Sequence, residues 1–153
     1  MRRSMSPTAK SRRRGSVALE FLFLAPVLLG LLLAFVEYSS IVSCEEKLCR
    51  ASHAGCKAAS HGANLHQIHE VVDHNLGNGA IRHHRKIEVC RIVHTHHGDR
   101  LEPVKYPERL PCGTELVVIV QCEAEKVIPN LLGRIGFNLC GEHLTGETTQ
   151  CKD

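Results

Sequence analysis

Polar and apolar positions follow three different rhythms along this chain. From Val17 to Val36, twenty residues carry a single charge, Glu20. As a helix at 1.5 Å per residue this run is about 30 Å long, the thickness of a bilayer core. Residues 40–76 contain no Pro, and Leu65, Ile68, Val72 and Leu76 recur at helical spacing. They predict a helix continuing from the span, broken near Gly62 or ending at Leu76-Gly77. Gly77-Asn78-Gly79 is a turn signal. Beyond it the rhythm changes again. Ile87 to Val93 and Leu116 to Ala124 are rich in β-branched residues and bounded by turn residues, which predicts two strands. Gly98, Pro103, Pro107, Pro111 and Gly113 predict a loop over 98–113. Pro129 to Gly136 reads as a turn or short helix, and Thr-rich His143 to Cys151 as a third strand.

The predicted class is α+β: a long N-terminal transmembrane helix continuing into a small extracytoplasmic antiparallel β-sheet domain. The expected divisions are a basic leader over 1–15, the transmembrane helix over 16–40, a helical region over 41–79 and a β-rich domain over 80–153. A cleavable secretory signal has an apolar region of about 7 to 15 residues followed by a small-x-small site. The run here is longer and ends in Phe35-Val36-Glu37-Tyr38. Ile41-Val42-Ser43-Cys44 loosely resembles a lipoprotein cleavage box, but Glu37 separates it from the apolar run. Pro26 sits within the span and removes one backbone hydrogen bond, which predicts a kink.

Charge changes the picture in one respect. The net charge is +3, yet Arg2, Arg3, Lys10, Arg12, Arg13 and Arg14 form a leader with no acid, and acids exceed bases in the remainder. Nothing after residue 15 suggests nucleic acid as a partner. Basic residues beside a span stay cytoplasmic, so the C-terminal part is expected outside the inner membrane. The chain has no Trp and four Phe, and Phe21, Phe23 and Phe35 lie in the apolar run. The outer domain therefore has a thin core of Val, Ile and Leu. Eight cysteines suit such a domain outside the cytoplasm.

A charge within a span is costly and usually kept for function. Glu20 is the fifth residue after Gly15, behind a basic leader. That spacing resembles the processing and assembly signal of type IV pilin-like proteins. The resemblance implies a prepilin peptidase that cuts after Gly15 and frees an α-amine on Ser16. An unperturbed α-amine has a pKa of about 8 and is mostly cationic at neutral pH. Glu20 would then pair with the amine of a neighbouring subunit, since a desolvated charge needs a partner. An acid in the first turns of a helix also suits the helix dipole.

The match is sharper than that general signal. Gly15-Ser-Val-Ala-Leu-Glu20-Phe, the Leu-rich stretch with Pro26, and Phe35-Val36-Glu37-Tyr38 resemble the N-terminus of TadE-like proteins. These are pseudopilins of the tight-adherence, or Flp pilus, machinery. Leu48 to Gly62 is similar to the Ala/Arg/Gly-rich helix that follows the span in that family. Val117 to Val120, Val127 to Gly133 and Leu144-Thr145 resemble its closing strand, Pro-Leu-Gly turn and last strand. The resemblance is good over 12–62, looser over 115–150 and absent between. TadG-like proteins share the N-terminus but are longer and need not be cleaved. The implied partners are the lipid bilayer, a prepilin peptidase, other pilin-like subunits and pilus assembly proteins. The implied role is structural.

The cysteines and the eleven histidines are not part of that family pattern. No C-x-x-C pair occurs, which argues against a zinc ribbon or thioredoxin-type site. Cys49 and Cys56, seven apart, are expected on one helical face and too far apart to bond. Cys90 and Cys122 lie mid-strand and can be cross-strand partners, while Cys112, Cys140 and Cys151 lie in loops or at the tail. These five are disulfide candidates whose pairing stays open. His94 and His96 alternate onto one strand face, a spacing able to bind a metal, but no third ligand is evident. No zinc-enzyme motif, G-x-S-x-G, phosphate loop or dinucleotide pattern is present. Neither an enzyme nor a cofactor is expected.

Overall fold

A computed structural model describes residues 12–95, 98–131, 133, 136 and 143–153, with side chains described from residue 18. Helix α1 spans Arg12–Ser60, 49 residues without interruption. At 1.5 Å per residue it is a rod of about 74 Å. Pro26 is accommodated inside it. Gly62, at positive φ, follows its end. Helix α2, Leu65–Leu76, then folds back onto α1. Asn64 caps it, accepting from the Gln67 N–H, while the Gln67 side chain accepts from the Asn64 N–H. Ile68, Val72 and Leu76 form the face that α2 buries. The break near Gly62 and the second stop at Gly77 both fall where the sequence pattern puts them.

A short helix α3, Ala80–His83, leads into β1, Arg85–Thr95. Then come β2, Gly98–Pro103; a 3₁₀ turn, Pro107–Arg109; β3, Glu115–Glu123; a short α4, Ala124–Val127; and β4, His143–Cys151. The strands form one antiparallel sheet in the order β2-β1-β3-β4. The α+β layout is as expected. The expected loop over 98–113 needs correcting, because it opens with β2. This strand pairs with the outer part of β1, from Cys90↔Pro103 to Thr95↔Gly98. It is an edge strand, mostly exposed, with Pro at its end, and edges are where charge and Pro are tolerated in a sheet.

The outer half of α1 lies across β3 and β4. Its buried stripe includes Cys44, Leu48, Ala51, Ser52, Cys56, Ala59 and Ser60. It packs on Leu116, Val118, Val120 and Cys122, the alternate residues of β3 that share one face. Small residues let the elements approach closely. An added Cβ on Gly146 of β4 would lie 2.4 Å from the Leu48 carbonyl carbon. One on Gly55 of α1 would lie 2.7 Å from Val72 Cγ2. The opposite sheet face carries a small buried cluster of Cys90, Val117 and Ile119, with Ile92 against it. Cys90 and Val117 are direct cross-strand neighbours and shield each other.

Two polar groups fix the periphery. Lys152 is 8% exposed, and its Nζ donates to the carbonyls of Pro107, Glu108 and Leu110 at 3.0, 3.0 and 2.6 Å. Asp73 of α2 receives Arg85 of β1: Nη2 donates to Oδ2 at 2.5 Å, and Nε stands 2.5 Å from Oδ1 as a charge contact without hydrogen-bond alignment.

Candidate assembly helix and its cysteine pair

Among the described residues, the first half of α1 is mostly exposed. Its most apolar window has a mean hydropathy of 2.5, and none of that window is buried. Phe21, Phe23 and Phe35 are each about seventy per cent exposed, at 67%, 71% and 71%. Among the described residues this is one helix long and apolar enough to cross a membrane. The apolar surface gives way to the packed domain at Glu37, which is fully buried.

Gly15 and Ser16 fall within the first turns of α1, and Glu20 is exposed on the apolar half, just over one turn further on. The Gly15–Ser16 bond thus sits in helical backbone. A helix end has unsatisfied N–H groups, and Gly costs about 1 kcal/mol against Ala in a helix. No acidic residue in the first turn compensates. This end is therefore the easiest part of α1 to unwind.

The cysteines fall into distinct settings. Cys90 and Cys122, expected as possible partners, are separated by the register: Cys90 faces Val117, Cys122 faces Arg85, and they occupy opposite sheet faces. Strand alternation explains this. Cys122 lies an odd number of residues along β3 from Val117, the neighbour of Cys90, and odd offsets point to the other face. Cys122 instead meets Cys44 of α1, with 3.8 Å between the Sγ atoms, both buried. The hydrogen bond from Cys122 lowers the Cys44 thiol pKa, against the effect of burial. The same contact, with burial, raises that of Cys122. Cys56 donates to the Leu116 carbonyl at 3.4 Å, and burial raises its pKa. Burial likewise raises that of Cys90. Cys49, Cys112 and Cys151 are exposed, so Cys49 and Cys56 do not share an environment. Cys140 lies outside the described residues.

His94 Nδ1 is 2.7 Å from Asp99 Oδ1, and its Nε2 is 3.3 Å from Glu115 Oε2. The Asp99 hydrogen bond leads in raising its pKa. His96 lies outside the described residues. Among the described residues no three His, Cys, Asp or Glu side chains converge as metal ligands.

Sequence reasoning treated Cys44 only as a member of a weak cleavage box. The available signal was its place on the helical stripe of Leu48, Ala51, Ser52 and Cys56. The contact with Cys122 needed the alignment of helix against strand.

Comparison with known proteins gives one family. The model of TadE-like protein matches residues 15–56, which spans the exposed apolar half of α1 and most of its packed half. No curated protein and no solved structure matches the chain. The family match and the apolar helix together support a pilus-related membrane protein.

Proposed function

We propose that this chain is a TadE-like pseudopilin, a single-pass component of tight-adherence pilus assembly or secretion. Its leader lies in the cytoplasm and its α2–β4 domain outside the inner membrane. A prepilin peptidase cuts after Gly15, and the new Ser16 amine becomes a partner for Glu20 of a neighbouring pilin-like subunit. The observation that carries this reading is the division of α1. One helix has a bare apolar half bearing Glu20 and a second half that is the core of a folded domain. The family match covers that division.

The physical logic follows from burial. A carboxylate on a lipid-facing helix costs about 2.5 to 3.5 kcal/mol at the bilayer centre and less near the interface. Pairing with the amine of a neighbouring subunit would offset much of that cost. The apolar half then packs among other pilin-like helices, and the outer domain presents its surface to assembly partners. The role is structural.

The test is the mass of the N-terminal peptide of the membrane-extracted chain, with and without a prepilin peptidase in the cell. A start at Ser16 that requires the peptidase is expected. An intact leader in both cells refutes processing and leaves an uncleaved membrane-anchored envelope or adhesion domain.

A further inference from the structure

We propose that Cys44 and Cys122 form a buried disulfide that covalently fastens the sheet to α1 just beyond the apolar half. The two Sγ atoms already touch at 3.8 Å, across 78 residues of sequence. A disulfide needs about 2.05 Å between the sulfurs, so the pair has to close by under about 2 Å. Both thiols are interior, at 4% and 2% exposure, so nothing in solvent competes for them once paired. Each nevertheless borders an opening. Cys44 lines a groove of about 550 Å³ with Ser40, Ser43 and Lys47, and Cys122 lines a smaller one of about 290 Å³ with Arg85 and His143. The remaining described cysteines are placed differently: Cys56 is engaged with a backbone carbonyl, Cys90 is on the far face, and Cys49, Cys112 and Cys151 are exposed.

The chemistry is thiol–disulfide exchange with an external disulfide, whether an oxidoreductase or a small molecule. The Cys44 thiolate attacks one sulfur of the oxidant, breaks its S–S bond and releases one thiolate. The Cys122 thiol gives up its proton and attacks Cys44 Sγ in that mixed disulfide, expelling the second thiolate. The chain loses two protons and two electrons, and the oxidant becomes two thiols. Cys44 is taken as the first attacker because it borders the larger opening, beside the Lys47 cation.

Oxidation in the cell rests on the proposed orientation, with the domain outside the cytoplasm. Two arms separate that from the pairing itself. In the first, cells are treated with N-ethylmaleimide, and the full chain is extracted, digested without reductant and mapped by mass. A linked peptide pair carrying Cys44 and Cys122, two hydrogens lighter than the free pair and lost on reduction, is expected. Alkylation at both positions should be nearly absent before reduction and complete after it. In the second arm, the reduced, detergent-extracted chain is exposed to oxidised glutathione. The same link should form in the wild type and in Cys49→Ser, and should be lost in Cys44→Ser. A link in the second arm alone supports the pairing and refutes the orientation. No link in either arm, a link of Cys44 to another cysteine, or a lipidated chain starting at Cys44 overturns the proposal.

Discussion

Replacing Gly146 with alanine should unfold the outer domain at a much lower temperature. The added Cβ would lie 2.4 Å from the Leu48 carbonyl carbon, 2.6 Å from the Cys49 nitrogen and 2.7 Å from the Leu48 oxygen. Comfortable carbon contacts lie at about 3.5 to 4.0 Å. The strand must therefore retreat by about 1 Å, and both sides of the contact are backbone. Retreat is resisted by the pairing of Gly146 with Val120, and it uncovers Leu48 and Leu144. Overpacking typically costs about 1 to 3 kcal/mol, and a backbone against backbone belongs at the upper end. For a domain of this size about 3 kcal/mol lowers the melting temperature by about 12 to 24 °C. Calorimetry of the detergent-extracted full chain reads this directly. Gly30→Ala is the control, since nothing lies within 4 Å of its Cβ position. The two variants melting within a degree of each other would refute the close crossing of β4 over α1.

Two further outcomes follow from the periphery. Lys152→Met takes the Nζ donor from the Pro107, Glu108 and Leu110 carbonyls, of which Pro107 keeps the Leu110 N–H. It should cost about 2 to 3 kcal/mol and expose residues 104–113 to protease, and wild-type resistance there would contradict the role given to Nζ. His94 has a folded pKa above its ordinary 6.5, chiefly from Asp99, so folding favours the protonated ring. Its contribution is complete below about pH 6.5 and is lost as pH rises through the raised pKa. An NMR titration should find His94 above 6.5 and Asp99→Asn closer to it; a wild-type midpoint at or below 6.5 would contradict the contact.

Much of this architecture was legible because long-range burial and local pattern agree. The apolar run from Val17, the break at Gly62, the turn at Gly77 and the β-branched runs around Val89 and Val118 all appear as elements. Thr148 and Thr149, with few large apolar neighbours, still sit in β4, since that strand buries only alternate positions such as Leu144 and Gly146. Strand β2 was hidden because an edge strand needs no apolar face, and Asp99, Arg100 and Glu102 read as loop. The Cys44–Cys122 contact was hidden for another reason. It depends on how far α1 slides along β3, and periodicity within each element carries no information on that offset. The full burial of Glu37 was similarly unreadable from the pattern around it. Gly15, Ser16 and Glu20 are a different matter. Their proposed roles involve a peptidase and a neighbouring subunit, so they are legible as spacing in the sequence and are tested only by those encounters.

The alignment of α1 with β3 has a mechanical meaning. Along the helix, Cys44 meets Cys122, Ser52 donates to the Val118 carbonyl at 2.6 Å, and Cys56 donates to that of Leu116. The helix ascends while the strand descends, so the contacts are spread along the direction of the rod. A load pulling α1 lengthwise through the bilayer would act on all of them in shear. Peeling, in which contacts break in succession, would require a sideways force on the helix. The same bonds thus resist extraction along the membrane normal far better than lateral bending. An axial load on α1 would carry the outer domain along as rigid cargo.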